Sequence, residues 1–331
     1  MKVAALAAVT LLAAILPVSA QAPDAAQATA QTPTFRSGAA LVALNVTVQD
    51  AGARFVMGLQ PDDFAVYEDG VKQNVRFFES TSVPADLIVL IDTSASMGDK
   101  MDVVHEAAAG FLKTLRPDDR GAVVSFADTV SVLQPLTSDC ALLDRAVRGA
   151  AAHGSTALNN AIYISLKQFG RAARLDSDVR RQAIVVLTDG EDTSSLVSFD
   201  DVLSLARRMG VNVYTVSLQS RYAAEHAAES SGHRYFSEAD YSMKTLARET
   251  GAQAFFPGPS ELKGVYTSIA AELASQYSIG YVPANGRPDG RFRRIVVQVV
   301  TRPELRPRTR PGYTAERVFA ATAPSLHQPQ R

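Results

Sequence analysis

The sequence predicts an α/β fold: a doubly wound, mainly parallel sheet with helices on both faces, flanked by a small β accessory unit built from the two ends of the chain. Three observations carry this. Between residues 85 and 275, continuous apolar runs (ADLIVLID, GAVVSFAD, QAIVVLTD) alternate with stretches of helical spacing, as parallel strands covered on both faces require. Near both ends the pattern changes to two-residue alternation, the mark of a sheet with one wet face. The composition, with 33 basic against 34 acidic residues, 47% apolar content and a single Cys, is that of a globular chain. The even charge removes the bulk electrostatic case for a nucleic-acid partner. One Cys excludes an internal disulfide and any Cys-rich metal site. A metal in this chain must be held mainly by oxygen.

The elements follow in order. Residues 1–20, MKVAALAAVTLLAAILPVSA, read as a secretory signal peptide, with Lys2, an apolar run from Val3 to Val18 and small residues up to Ala20. A secreted or periplasmic location is expected, and no other segment is apolar and long enough to cross a bilayer. Residues 21–37, rich in Ala, Gln, Pro and Thr, read as a flexible linker. Residues 38–82 form an N-terminal β segment. In it Val42, Leu44, Val46 and Val48 face one way, and Glu68-Asp69-Gly70 is a hairpin turn. The segment is too short for a comfortable core of its own.

Residues 83–275 carry the βα alternation. The strand ADLIVLID leads to a helix with Met101, Val104, Ala108, Phe111, Leu112 and Leu115 on one side, ended by Pro117. GAVVSFAD is a second strand and CALLDRAV a second helix, in which Cys140 is expected as a small buried hydrophobe. Leu158, Ile162, Leu166 and Phe169 mark a third helix, QAIVVLTD a third strand, FDDVLSLARRM a helix and VNVYTVSL a strand. Residues 219–241 are polar and hold His226 and His233, as an inserted loop would. Helix, strand and helix follow in SMKTLARETG, AQAFFP and ELKGVYTSIAAELAS. Residues 276–319 return to strands (QYSIGYVP, RFRRIVVQVV and the stretch around Tyr313). They are expected to pack on the first β segment, making the βα region an insertion between two halves. The arginines between Arg287 and Arg310 read as a charged solvent edge, and residues 320–331 as a disordered tail.

Three short segments concentrate chemistry. Asp92-Thr93-Ser94-Ala95-Ser96 follows one buried strand, Thr188-Asp189-Gly190 follows another, and Gly154-Ser155-Thr156 opens a helix. In open α/β sheets ligands bind outside the carboxyl ends of the strands. Asp92 and Asp189 can converge there, with hydroxyls from Ser94, Ser96 and Thr156. Two carboxylates and three hydroxyls without a soft ligand describe a site for a hard divalent cation: Mg²⁺, with Mn²⁺ or Ca²⁺ as alternatives. If the hydroxyls coordinate directly and the carboxylates partly through water, the cation keeps room for a carboxylate from outside.

The bland account of the Ser-rich turn is a helix N-cap. An aspartic protease would need a second Asp-Thr-Gly-like turn on an all-β background, and the second Asp here opens Asp189-Gly190-Glu191 between strand and helix. A phosphatase-like use of Asp92 as nucleophile lacks a second acid two residues on, where Ser94 stands. Asp128, Glu191 and Asp192 read as surface charge bordering the crevice.

D-x-S-x-S, a distant Thr and a distant T-D-G after an apolar strand together resemble the von Willebrand factor type A (VWA) domain, over roughly residues 85–275. The flanking DFAVYEDGVKQNVRFF and QYSIGYVP resemble a bacterial exported group of such proteins. The resemblance implies a metal-ion-dependent adhesion site with Asp92, Ser94, Ser96, Thr156 and Asp189 as its ligands. The expected function is then cation-dependent binding of a protein partner through an Asp or Glu side chain, without catalysis. A structural envelope subunit that binds without a cation is the alternative, and a metal-assisted hydrolase the more remote one.

Overall fold

The computed structural model describes residues 41–80, 83–175, 180–218 and 237–315, leaving aside the side chains of 171–175. The expected signal peptide, linker and tail lie outside the described residues, as do residues 219–236 of the expected loop, His226 and His233 among them; its last residues, from Glu238, open a helix instead, capped by Ser237. In chain order the strands are β1 (Val42–Gln49), β2 (Phe64–Glu68), β3 (Val71–Gln73), β4 (Val75–Ser80), β5 (Ala85–Asp92), β6 (Arg120–Phe126), β7 (Val130–Thr137), β8 (Arg181–Thr188), β9 (Asn212–Ser217), β10 (Ala254–Phe255), β11 (Tyr277–Tyr281), β12 (Phe292–Val299), β13 (Arg306–Arg308) and β14 (Gly312–Thr314). The helices are α1 (Met101–Leu112), α2 (Cys140–Arg148), α3 (Leu158–Leu175), α4 (Phe199–Met209), α5 (Glu238–Glu249) and α6 (Leu262–Ser275).

Six strands form the central sheet in the order β10-β9-β8-β5-β6-β7. All neighbours pair in parallel except β7, which runs antiparallel to β6. Every residue of β5 is buried, and its side chains alternate between two cores as the pleat dictates. Leu87, Val89 and Ile91 pack with Val104 and Phe111 of α1, Val147 of α2 and Tyr266 of α6. Ile88 and Leu90 pack with Ile162 and Phe169 of α3, Val202 of α4 and Leu246 of α5. Each such aliphatic side chain contributes roughly 1.5–3 kcal/mol by leaving water. A doubly wound sheet results, with its carboxyl edge free for loops.

The β accessory unit is a sandwich of two four-stranded sheets, β13-β1-β11-β4 and β14-β12-β2-β3. Each sheet takes strands from both ends of the chain, and one hydrophobic cluster joins them. Leu44 and Val46 of β1, Val66 of β2, Tyr277 and Ile279 of β11 and Val297 of β12 all belong to it. The hairpin at Asp69-Gly70 has both residues at positive φ, 49° and 82°, the backbone that a two-residue hairpin turn with native twist demands.

A buried polar seam joins the sandwich to the α/β region. Glu272 of α6 accepts the Tyr214 hydroxyl at 2.7 Å and pairs with Arg308 of β13 at 2.5 Å. Arg308 donates to the carbonyl of Gly251 at 2.9 Å, and Arg310 donates to those of Ala43 and Arg207. Gly251 has φ +80°, and a Cβ there would stand 2.5 Å from the Arg310 nitrogen, so only glycine lets the two backbones meet.

Three expectations need correction. The arginines of 287–310 are not simply a solvent edge. Arg293 is buried against Asp289 and Asp69, and Arg308 and Arg310 hold the seam, because Glu272 and the orphan carbonyls there need cationic donors. Cys140 is exposed. It is the first residue of α2, and Leu143 and Val147, three and seven residues on, face the core instead. Finally, an antiparallel edge strand, β7, occupies a stretch that the apolar pattern does not mark. Its residues are mostly exposed or half-buried.

Candidate metal centre

Three loops at the carboxyl edge of the central sheet are laced together by their backbones. After β5, Thr93 donates to the carbonyl of Phe126 at 2.8 Å and accepts the amide of His153 at 2.6 Å. Ala95 donates to the carbonyl of Gly154 at 3.1 Å. The loop after β8 closes on the same segment: the amides of Thr193 and Ser194 donate to the carbonyl of Thr156, at 2.9 and 3.1 Å, and the Thr156 amide donates to the Thr193 hydroxyl at 3.1 Å. Gly154, at φ +70°, makes this approach possible. A Cβ there would come within 2.7 Å of an Asp128 carboxylate oxygen.

Within this frame Asp92, Ser94, Ser96 and Asp189 are brought together, and Thr156 stands beside Gly190. Asp92 is the last residue of β5 and fully buried. One of its oxygens accepts the Ser94 amide at 2.8 Å, the other the Thr188 hydroxyl at 2.6 Å. Burial pushes its pKa up, the hydrogen bonds from Thr188 and Ser94 pull it down, and the charge of Asp189 adds to the rise. The Ser94 and Ser96 hydroxyls stand 3.1 Å apart, and Ser96 donates to Asp189 Oδ1 at 2.8 Å. Thr156 is buried, and its hydroxyl lies 3.7 Å from where a Gly190 side chain would begin. The helix-cap account of the Ser-rich turn does not hold: Ser94 precedes the 3₁₀ helix Ala95–Lys100, yet its side chain makes no capping hydrogen bond.

Lys100, which the sequence reading missed, and Thr188, read there only as part of the Thr188-Asp189-Gly190 segment, complete the cluster. Thr188 fixes Asp92, and Lys100 forms an ion pair with Asp189 Oδ2 while donating to the Ser96 carbonyl at 3.1 Å. Asp128 packs against Gly154, and Asp192 bonds Asn159 and accepts the Ser195 amide at 3.1 Å. Both therefore support loops. His153 turns its ring to the Ala151 carbonyl, 2.9 Å away.

The donor set fits a hard cation: every polar side-chain atom of Asp92, Ser94, Ser96, Thr156 and Asp189 is oxygen. Among the described residues no group of three His, Cys, Asp or Glu side chains comes together as a metal cluster. A cation at this edge would depend on hydroxyl oxygens and water as much as on carboxylate.

An open sheet that presents such loops at its carboxyl edge defines a ligand-binding α/β domain. The family is specific: residues 86–249 match the von Willebrand factor type A domain, and that part of the chain belongs to it. An uncharacterized protein of Borreliella burgdorferi is 29% identical over 150 residues, 42% of each chain. Inter-alpha-trypsin inhibitor heavy chain H6 of Homo sapiens is 25% identical over 269 residues, 77% of this chain and 19% of its own length. The chain thus spans less than half the length of both relatives. Among solved structures, the von Willebrand factor type A protein from Catenulispora acidiphila covers 72% of this chain and 52% of its own at 17% identity, with a TM-score of 0.48. No helix among the described residues is long and apolar enough to cross a membrane.

Proposed function

We propose that this chain is an exported protein-binding module. In this reading a divalent cation, Mg²⁺ or else Mn²⁺ or Ca²⁺, is held by Asp92, Ser94, Ser96, Thr156 and Asp189 and binds a partner through an Asp or Glu side chain. The observation that carries it is the continuous oxygen chain Ser94 Oγ–Ser96 Oγ–Asp189 Oδ1, at 3.1 and 2.8 Å, on the ligand-binding edge of a VWA domain. A bound divalent cation supplies an electrophilic centre that accepts an outside carboxylate. The protein's part is to hold few charged donors close. Asp92, with both oxygens already engaged by Ser94 and Thr188, would help hold the cation together with the serine hydroxyls. Hydroxyl and water ligands leave more positive charge on the cation than a full carboxylate cage would. Binding rather than catalysis is proposed; the imidazole of His153, whose amide donates to Thr93 beside the site, is turned to its own loop.

One observation favours a scaffold that binds without a cation: Asp189 already has a positive partner in Lys100. The test is calorimetric titration of the chain with MgCl₂, alongside Asp92→Ala and Asp189→Ala. Each substitution is expected to lower affinity at least about 100-fold with the fold intact by circular dichroism. Unchanged affinity in both variants would overturn the site. A pulldown with Mg²⁺ against EDTA separates the readings, since only cation-dependent binding loses its partner on chelation.

A further inference from the structure

The Lys100 ammonium is held inside the cluster rather than in solvent. Its side chain is 9% exposed and that of Asp189 only 2%. Beyond Asp189 Oδ2 it reaches the Ser96 carbonyl at 3.1 Å and stands 4.0 Å from Asp99 Oδ1. Both oxygens of Asp189 are therefore engaged, Oδ1 by the Ser96 hydroxyl and Oδ2 by Lys100. The two residues that bind the ammonium, Ser96 and Asp189, also supply two of the five oxygen donors to a cation. A divalent ion on Ser96 Oγ and Asp189 would lie within a few ångströms of Nζ, where little water separates like charges and repulsion is strong.

We infer that Lys100 is a tethered competitor for the divalent cation. Its ammonium and the metal ion exclude one another at Asp189, and loading requires the lysine to swing out toward Asp99 and solvent on its four-carbon stem. The inference rests on the proposed cation site and names the residue that sets its affinity. If the ammonium is off Asp189 less than a tenth of the time, the apparent dissociation constant is more than about tenfold weaker than the oxygen set alone would give. The site then fills only at high cation concentration, and empties readily on dilution or chelation.

The test is Mg²⁺ calorimetry, with Mn²⁺ binding followed by electron paramagnetic resonance, on the wild-type chain, Lys100→Gln and Lys100→Arg. Circular dichroism checks the fold. Lys100→Gln, which keeps a buried stem and a polar tip without charge, is expected to bind both ions about tenfold more tightly or better. Lys100→Arg keeps the charge and is expected to stay within about threefold of wild type. Should the glutamine variant fail to fold, Lys100→Met, with an uncharged stem of similar length, carries the same expectation. The opposite sign discriminates: a lysine that merely braced the Ser96 loop would, once removed, weaken cation binding. Unchanged or weaker binding by the neutral variant, with wild type still binding, overturns the competition and leaves the cation site standing. Binding by neither protein overturns the cation site itself, and the competition with it.

Discussion

One strand carries an aspartate at each end, and the two are treated in opposite ways. Asp86 and Asp92 belong to β5, and both are buried. Asp86, near the amino edge, accepts Arg120 Nε and Nη2 at 2.9 and 2.7 Å and Arg180 Nε at 2.7 Å. Two guanidiniums, one of them bidentate, neutralise it and leave no lone pair in need. Asp92, at the carboxyl edge, is met among the described residues by neutral donors, the Thr188 hydroxyl and the Ser94 amide. The same residue type is thus closed at one end of the strand and left with an uncompensated charge at the other. Closure by arginine suits a structural carboxylate, and a buried carboxylate held by dipoles is what the proposed cation site requires.

The largest expected effect of breaking this contrast is at the closed end. Asp86→Asn removes the charge that both arginines answer, while Arg180 and Arg120 remain only 14% and 28% exposed at their side chains. Removing one partner of a buried ion pair is costly because the other is left uncompensated. After discounting for the partial exposure of the arginines, a loss of about 2–4 kcal/mol is expected in guanidinium unfolding. Mg²⁺ affinity should not change. A neutral outcome would mean that the arginine closure does not hold the amino edge together.

Glu272 is the intermediate case. It combines neutral hydroxyl donors, from Tyr214 at 2.7 Å and Thr47 at 3.4 Å, with a single arginine, Arg308. The buried acid raises the Tyr214 pKa further, beyond what burial alone does. Glu272→Gln keeps an oxygen for Tyr214 and loses the Arg308 pair, so about 1–2 kcal/mol of stability should go. The seam joins two regions, so a probe of each is informative: amide hydrogen exchange in the strands of the sandwich, and far-ultraviolet helix signals for the α/β region. A midpoint that shifts in one signal alone would show the two regions unfolding separately.

How much of this was legible in the sequence follows from the range of each interaction. Asp92, Ser94, Ser96 and Asp189 were legible because a parallel strand ends where its apolar run ends, and the next residues must line the carboxyl edge. The two cores were legible from period alone. Strand β7 was not: Pro135 interrupts it, its pairing with β6 shifts register between Gly121 and Val124, and an edge strand exposed over much of its length shows no clean alternation. Arg308 looked like surface charge because its partner, Glu272, lies 36 residues away in the chain. Lys100 escaped notice for a different reason. It is local to the motif, but an ion pair with Asp189 across 89 residues becomes visible only once the sheet has brought two loops together.

The smallest effect tests the open end of the strand and is the sharpest in sign. Asp92→Asn keeps the shape of the side chain. Its carbonyl oxygen still accepts the Ser94 amide, and its amide can donate to the Thr188 hydroxyl oxygen, which then turns its proton to the Gly190 carbonyl, already 3.3 Å away. Every hydrogen bond has a replacement, and what disappears is a charge that burial disfavours. In EDTA the variant should be as stable as wild type, or up to about 1 kcal/mol more stable. The stabilisation by Mg²⁺ that the proposed site predicts for wild type, through binding of the folded state, should be absent from it. One substitution, Asp to Asn, would then weaken the protein at residue 86 and spare or strengthen it at residue 92. Should Asp92→Asn instead cost more than about 1 kcal/mol without any cation present, its carboxylate is paired as firmly as that of Asp86, and the carboxyl edge is closed as well.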